Sequence, residues 1–284
     1  MRIAVLTALV SSGIFGIVPV IPSAGLVMSK APQAEGAGGN SESRPAAPAN
    51  PVVVELFTSE GCSDCPTADR LLYSLEQTQP VPGAEIIPLE QHVDYWDSEG
   101  WRDPFSSSQF TLRQRNYVYT FNLPTAYTPE MVVDGTAEFV GNDVHRALAA
   151  IVQAARLPKA NLQIGQRAEA KSDPRNVSLR VSMAASNVWN AKHGADVLLA
   201  ITEDNLPSNV TAGENAGAHM DHRAVVRELR VLGRVDSAGV FSAAPDLSLA
   251  GNWRRENLHV VAFVQDRSTR RILGASMLSL SAAE

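Results

Sequence analysis

The sequence has few cysteines, few aromatic residues and no cluster of positive charge. Its 284 residues include only two cysteines, which excludes a scaffold built on many disulfides. The 24 Lys and Arg residues face 30 Asp and Glu residues, and the formal net charge is -6. Without a basic surface for a phosphate backbone, we expect no nucleic acid partner. With 45% hydrophobic residues, the chain is long enough to form two cores.

The N-terminal residues 1–28 predict a signal peptide or an N-terminal anchor. Arg2 supplies a positive charge, and residues 3–20 are apolar. Gly16 and Pro19 interrupt this apolar run, which favours a cleaved signal over a retained spanning helix. In the retained form, this segment would be the protein's contact with the membrane. In either form we expect a periplasmic or secreted protein.

Residues 29–51 predict a disordered linker. They are rich in Ala, Pro, Gly and Ser and contain almost no large apolar side chain. Because such a segment can bury little apolar surface, nothing offsets the entropy lost on ordering it.

Both cysteines lie in the motif Cys62-Ser63-Asp64-Cys65, between the apolar run 52–57 and a helical pattern. The start of a helix favours a thiolate through unpaired N–H groups and the helix dipole. We therefore predict that Cys62 is the nucleophile and that Cys65 resolves the mixed disulfide. The Asp64 carboxylate opposes the Cys62 thiolate. This pair should therefore be a reducing or balanced couple and not a strong oxidant.

The order of predicted elements up to residue 158 is strand, helix, strand, helix, hairpin, helix. Their ranges are 52–57, 65–79, 85–93, 106–121, 128–140 and 144–156. An Asp-Gly pair forms the turn of the hairpin. Because a helix connects the first strand to the second, we predict that these two strands are parallel.

This pattern resembles a thioredoxin-like domain over residues 52–158, although no Trp precedes Cys62 and the central dipeptide is Ser-Asp. More closely, the motifs Glu-Leu-Phe-Thr-Ser-Glu-Gly-Cys-Ser-Asp-Cys-Pro, His-Val-Asp-Tyr-Trp-Asp and Tyr-Thr-Pro-Glu-Met-Val-Val-Asp-Gly resemble a bacterial exported family of unknown function, domain of unknown function 1223. The thioredoxin resemblance implies a cis bond at Thr128-Pro129 and contact of these residues with substrate. It also implies protein thiol or disulfide substrates, a separate redox partner and no cofactor.

Residues 159–284 change to period-two alternation with turn residues between the segments. We predict seven strands, at 162–170, 177–185, 195–203, 225–235, 240–249, 258–265 and 272–280. The expected fold is therefore an α/β thioredoxin-like domain followed by an all-β sandwich-like domain at 159–284.

The predicted function is that of an exported thiol-disulfide oxidoreductase, and two alternatives remain. The cysteine pair could be a structural disulfide in a binding module, although a bridge across two residues constrains the unfolded chain little. Alternatively, Cys62, Cys65 and His92 could carry copper. A structural zinc site is not expected, since no second Cys pair is present.

Two further groups of polar residues have an ordinary structural explanation beside a functional one. His92 and Asp94 lie at the end of the second predicted strand and could relay protons or bind a metal, but such pairs often fix a loop by hydrogen bonding. His219, Asp221 and His222 lie in a polar segment that includes Glu-Asn and more often would be solvated or cap a turn. We predict no metal site from either group.

Overall fold

A computed structural model describes residues 49–167, 173, 175–185, 191 and 193–280. The predicted signal segment 1–28 and nearly all of the predicted linker 29–51 lie outside the described residues. In the described part, no helix is both long enough and apolar enough to cross a membrane.

Seven elements precede residue 158, and their order matches the predicted one. They are β1 (Asn50–Thr58), α1 (Cys65–Thr78), β2 (Ala84–His92), α2 (Ser108–Phe121), β3 (Glu130–Val133), β4 (Ala137–Val140) and α3 (Val144–Ala155). β1 and β2 are parallel, and β3 and β4 are antiparallel, as predicted. Asp134 and Gly135 form the turn between β3 and β4, and both have positive φ angles, of 51° and 64°.

Within its described residues, the second half of the chain contains strands and one short helical turn. These are β5 (Leu162–Gln166), β6 (Asn176–Met183), β7 (Ala195–Glu203), β8 (Leu206–Asn209), β9 (His219–His222), β10 (Val225–Arg234), β11 (Phe241–Ala243), β12 (Asp246–Ser248), a 3-10 turn (Arg255–Asn257), β13 (Leu258–Asp266) and β14 (Ile272–Ser279). The short β8–β9 ribbon was not predicted, and the predicted strand at 240–249 is divided into β11 and β12.

The predicted fold class, a thioredoxin-like domain followed by a separate β-sandwich, is wrong. One mixed sheet of eight strands takes strands from both halves of the chain, in the order β14-β13-β7-β10-β2-β1-β3-β4. The halves join where Val225 of β10 pairs in parallel with Glu90 of β2. There the Glu90 N–H donates to the Ala224 carbonyl over 2.9 Å. Residues 46–284 accordingly form one compact unit, and the predicted boundary after residue 158 would cut through this sheet.

The error arises because the sequence does not show that β2 has a second neighbour, β10, in the sheet. Alternation of apolar residues identifies a strand and its faces, but it does not specify which distant strand forms hydrogen bonds with it. β7 is also unlike a sandwich strand that exposes one face to solvent, because eight of its nine residues are buried and one is half-buried. Such burial on both faces is typical of a central strand covered on each side.

The large sheet is covered by helices on both faces and by a second sheet. On one face, α1 and α3 bury Ala68, Leu72 and Ile151 against β1 and its neighbours. On the other face, Phe110 of α2 joins a core shared by residues of both halves, including Val53 and Phe263. Strands β5, β6, β11 and β12 form the second sheet, whose side chains pack on those of β7 and β13. These layers hold the end of β1, which leads into the cysteine motif, rigidly in place.

Candidate functional site

The turn between β1 and α1 carries a disulfide between Cys62 and Cys65, whose Cα atoms are 5.4 Å apart. Cys65 is the first residue of α1, and Pro66 follows it in the first helical turn. Proline is favoured there, because its missing N–H would have no partner within the helix. The Cys65 N–H donates to the Cys62 carbonyl over 3.2 Å. The motif therefore places the two sulfurs at the start of a helix, as the sequence predicts.

Both cysteines are buried, although the two residues between them are exposed. Cys62 has a relative exposure of 2% and Cys65 of 0%. Ser63 and Asp64 face solvent. The sequence identified Cys62 as the attacking thiol but did not predict that other parts of the protein would cover it.

Residues 210–218, which connect β8 to β9, form a covering loop over this turn. The Asn215 side chain donates from Nδ2 to the carbonyl oxygens of Glu60 and Cys62, each over 2.9 Å. The Glu214 carboxylate accepts from the Ser63 N–H over 3.0 Å. The contact of Glu214 is exposed to solvent, and the two contacts of Asn215 are partly buried. The cysteine turn is therefore closed by a loop that hydrogen bonds hold in place.

The peptide bond between Thr128 and Pro129 is cis, which confirms the prediction from the sequence. Trp96 connects this bond to the cysteine turn. Its Nε1 donates to the Thr128 hydroxyl over 2.7 Å. A Cβ on Gly61 would lie 3.2 Å from the Trp96 Cβ, so Trp96 also lies close to the residue before Cys62.

Behind the cysteine turn lies a buried cluster, which we call the polar cluster: Glu60, Glu90, His92, Asp103 and His222. Glu90 and His92 are two residues apart on β2, so their side chains point to the same face. The pairing of Val225 with Glu90 brings His222, at the end of β9, to the same place. Residues far apart in sequence thus meet at the junction of the two halves.

Short hydrogen bonds connect every member of the polar cluster. Two of them link Glu90 Oε1 to His92 Nε2, over 2.9 Å, and to His222 Nδ1, over 2.8 Å. The other ring nitrogens are also bound: His92 Nδ1 lies 2.7 Å from Asp103 Oδ2, and His222 Nε2 lies 3.1 Å from Glu60 Oε1. Because Asp103 Oδ2 also accepts from the Glu60 N–H, over 2.8 Å, the cluster is joined directly to the cysteine turn.

Burial and charge have opposite effects on the protonation of this cluster. Burial raises the pKa of Glu90, but the charges of the two histidines and their hydrogen bonds lower it to about 2. Burial similarly raises the pKa of Asp103, and His92 lowers it to about 2. Burial lowers the pKa of His222, but Glu90 and Glu60 raise it to about 9. For His92, Asp103 and Glu90 overcome burial and raise the pKa well above 6.5.

A groove of about 480 Å³ leads from solvent to the polar cluster. Asp69, Glu90 and His222 line it, together with Tyr73 and Arg223, whose guanidinium lies 4.6 Å from the Tyr73 ring centroid. Burial and the charge of Glu90 raise the pKa of the Asp69 carboxyl to about 7. The inner wall of this groove is therefore formed in part by the buried residues Glu90 and His222.

The structure brings together some of the polar residues singled out in the sequence and separates others. His92 and His222 meet, with ring centroids 4.8 Å apart. Asp94 instead accepts from the Thr111 hydroxyl of α2 over 2.5 Å. Exposed His219 bonds to Asn209, with 2.8 Å between Nδ1 and Oδ1. Local hydrogen bonding thus accounts for Asp94 and His219.

Sequence reasoning missed Glu60, Glu90 and Asp103. Glu90 could have been noticed, because it occurs two positions before His92 in a strand whose other side chains are mostly apolar. Glu60 lies two positions before Cys62, but a glutamate in a turn is ordinarily solvated. No local pattern marks Asp103, which lies in an irregular segment between β2 and α2.

Comparison with known proteins gives a family match and a similar fold. Residues 53–265 match the family model described as Protein of unknown function (DUF1223). A crystal structure of a protein from Agrobacterium tumefaciens is 24% identical, with a TM-score of 0.63, and covers 84% of this chain and 98% of that chain. This likeness supports the fold alone.

A domain of the outer membrane lipoprotein Omp28 from Porphyromonas gingivalis is 15% identical, with a TM-score of 0.27. That comparison covers 43% of this chain and 88% of that chain. Among curated proteins, no sequence matches this chain.

Proposed function

The chain belongs to the DUF1223 family of proteins of unknown function, as its motifs suggested, and we propose that it is an exported thiol-disulfide oxidoreductase. The observation that carries this proposal is the Cys62–Cys65 disulfide at the start of α1, beneath a loop that is hydrogen-bonded to the cysteine turn. A disulfide that persists is typical of an oxidising compartment, which supports a periplasmic or secreted location.

A purely structural role explains this disulfide poorly. The bridge closes a loop over two intervening residues, so it restricts the unfolded chain little. The surrounding segment is also held independently, since β1 lies within the sheet and α1 packs on it. The protein therefore gains little stability from this bond, and reversible chemistry accounts better for its position.

The proposed reaction starts from the reduced pair. The Cys62 thiolate attacks one sulfur of a substrate disulfide, which forms a mixed disulfide and releases the other substrate sulfur as a thiolate. Cys65, after losing its proton, attacks the Cys62 sulfur and releases the second substrate thiolate. Two electrons pass to the substrate, its two sulfurs take up two protons, and Cys62–Cys65 is oxidised. A thiol or dithiol reductant returns the pair to its reduced state, and both directions use the same steps.

The cis bond at Thr128-Pro129 belongs to this proposal as the place where the substrate chain would lie. The Thr128 hydroxyl accepts a hydrogen bond from the Trp96 indole, and the Trp96 Cβ lies close to Gly61, just before Cys62. We assign to Thr128 and Pro129 the positioning of an extended substrate segment next to the sulfurs.

Because Cys62 is buried, exchange requires the covering loop to move. We expect the change Asn215→Ala, which removes two hydrogen bonds to the cysteine turn, to increase the rate of disulfide reduction by glutathione roughly 30-fold. This estimate uses about 1 kcal/mol for each hydrogen bond that holds the loop closed. The rate is measured on folded protein by quenching samples with an alkylating reagent and counting labelled cysteines by mass spectrometry.

Asn176→Ala is the matched control for this experiment. The Asn176 side chain bonds to Ser248 in the second sheet, at 3.3 Å, and its loss should leave the reduction rate unchanged. An equal rate for wild type and Asn215→Ala would show that the loop does not control access. Reduction that occurs only when the protein unfolds would contradict the proposed function itself.

A further inference from the structure

Three side chains of the polar cluster direct donor atoms toward one point. The donor atoms of Glu90, His92 and His222 all lie within 4.8 Å of one another. The side chains of the three residues are almost fully buried, with relative exposures of 3%, 0% and 2%. Two imidazole nitrogens and one carboxylate oxygen are a donor set that suits zinc and similar divalent transition metals.

The contacts of the ring nitrogens that face away from Glu90 also match those of a metal centre. In metal sites, a ligating histidine commonly has its second ring nitrogen bound to a carboxylate, which fixes the orientation of the ring. His92 is held in this way by Asp103, over 2.7 Å, and His222 by Glu60, over 3.1 Å. Two separate carboxylates therefore orient the two rings toward Glu90.

The charges around this point favour a cation. The buried carboxylates Glu60, Glu90 and Asp103 make their ion pairs with two shared histidines. A doubly charged cation ligated by neutral imidazoles would displace the proton that each ring shares with Glu90, and it would be stabilised by three nearby negative charges in a poorly hydrated region. The Phe105 ring closes one side, at 5.4 Å from the His92 ring and 5.5 Å from the His222 ring.

A route for the ion is present as well. Glu90 and His222 line the groove of about 480 Å³ that opens to solvent, and Asp69 lies on its wall. A cation could enter through this groove, and a water molecule could occupy a fourth coordination position on the same side. Catalytic zinc sites ordinarily combine three protein ligands with such an open position.

We propose that Glu90, His92 and His222 bind a divalent transition-metal ion of the zinc class, with Asp103 and Glu60 orienting the two imidazoles. The cysteines are not part of this site, so the proposal does not depend on the proposed oxidoreductase activity. It differs from a copper site at the cysteine motif in its ligands and in its preference for nitrogen and oxygen donors.

The test uses the full chain with the Cys62–Cys65 disulfide intact, which keeps the sulfurs from acting as thiolate ligands. Zn²⁺ affinity is measured by competition with a chromophoric chelator, and Co²⁺ absorption reports on the donor atoms. We expect one ion per chain and a Co²⁺ spectrum without thiolate charge-transfer bands. His222→Gln should abolish tight binding, and Asp103→Asn should weaken it about 10- to 100-fold.

His259→Gln is the matched control, because His259 also pairs with a carboxylate, Asp204, at 3.2 Å, but lies outside the cluster. It should leave Zn²⁺ affinity unchanged. Circular dichroism checks that each variant is folded, and the wild-type Co²⁺ spectrum provides evidence that needs no variant. Absence of stoichiometric binding to wild type, or unchanged binding in His222→Gln, would overturn the proposal.

Discussion

Replacement of Cys65 by Ser should convert a transient reaction intermediate into a stable product. Without its second thiol, the protein can form a mixed disulfide through Cys62 but cannot resolve it. The adduct should then decay only by uncatalysed rearrangement, which takes about minutes to hours. Non-reducing electrophoresis of Cys65→Ser after incubation with oxidised glutathione or exported proteins should therefore show nearly complete conversion to adducts that reductant removes.

Cys62→Ser is the corresponding control. It leaves Cys65, which has 0% exposure and lies at the first position of α1. We expect this variant to form few adducts, because it lacks the thiol to which the first attack is assigned. Equal trapping by the two variants would show that the assigned order of attack and resolution is wrong. The absence of adducts in Cys65→Ser would remove the enzymatic interpretation of the pair.

Replacement of Arg113 by Met should have the largest effect on stability. Arg113 donates to both carboxylate oxygens of Glu55, which is fully buried in β1. Tyr117 and Gln91 also donate to this carboxylate, over 2.5 and 2.7 Å, but neither carries a positive charge. Removing one partner of a buried ion pair leaves the other uncompensated, so the free energy of unfolding should fall by about 3–5 kcal/mol.

Urea unfolding measures this change, and Arg115→Met provides the comparison. Arg115 lies on the exposed side of the same helix, and its replacement should change the free energy of unfolding by less than about 0.5 kcal/mol. In the double variant Glu55→Leu with Arg113→Met, no uncompensated charge remains, so the loss should be smaller than the sum of the single changes. Similar values for Arg113→Met and Arg115→Met would contradict the proposed importance of this pair.

Local features of the first half could be predicted from the sequence, because they depend on neighbouring residues. The apolar run before Cys62, the helical spacing of Ala68, Leu72 and Leu75, and the Asp-Gly turn each determine structure within a few residues. These elements and their order occur as expected. The family resemblance, carried by short motifs around the cysteines and Pro129, is also confirmed.

Long-range pairing could not be predicted in the same way. The contact of Val225 with Glu90 joins strands 135 positions apart and merges two expected domains in one sheet. The same contact places His222 beside His92, although the sequence suggested His219, Asp221 and His222 as a local group. Asn215 was recognised as part of a polar loop, but its hydrogen bond to the Cys62 carbonyl follows only from the fold.

The central claim, that Cys62 and Cys65 form a catalytic redox pair, is tested most directly by turnover. A substoichiometric amount of wild-type protein is mixed with glutathione and a peptide disulfide. In a parallel experiment, the same amount is mixed with glutathione disulfide and the reduced peptide. We expect many substrate molecules to react for each protein molecule in at least one direction, and Cys62→Ser to show only the uncatalysed rate. Rates for wild type equal to the uncatalysed rate in both directions would contradict this account.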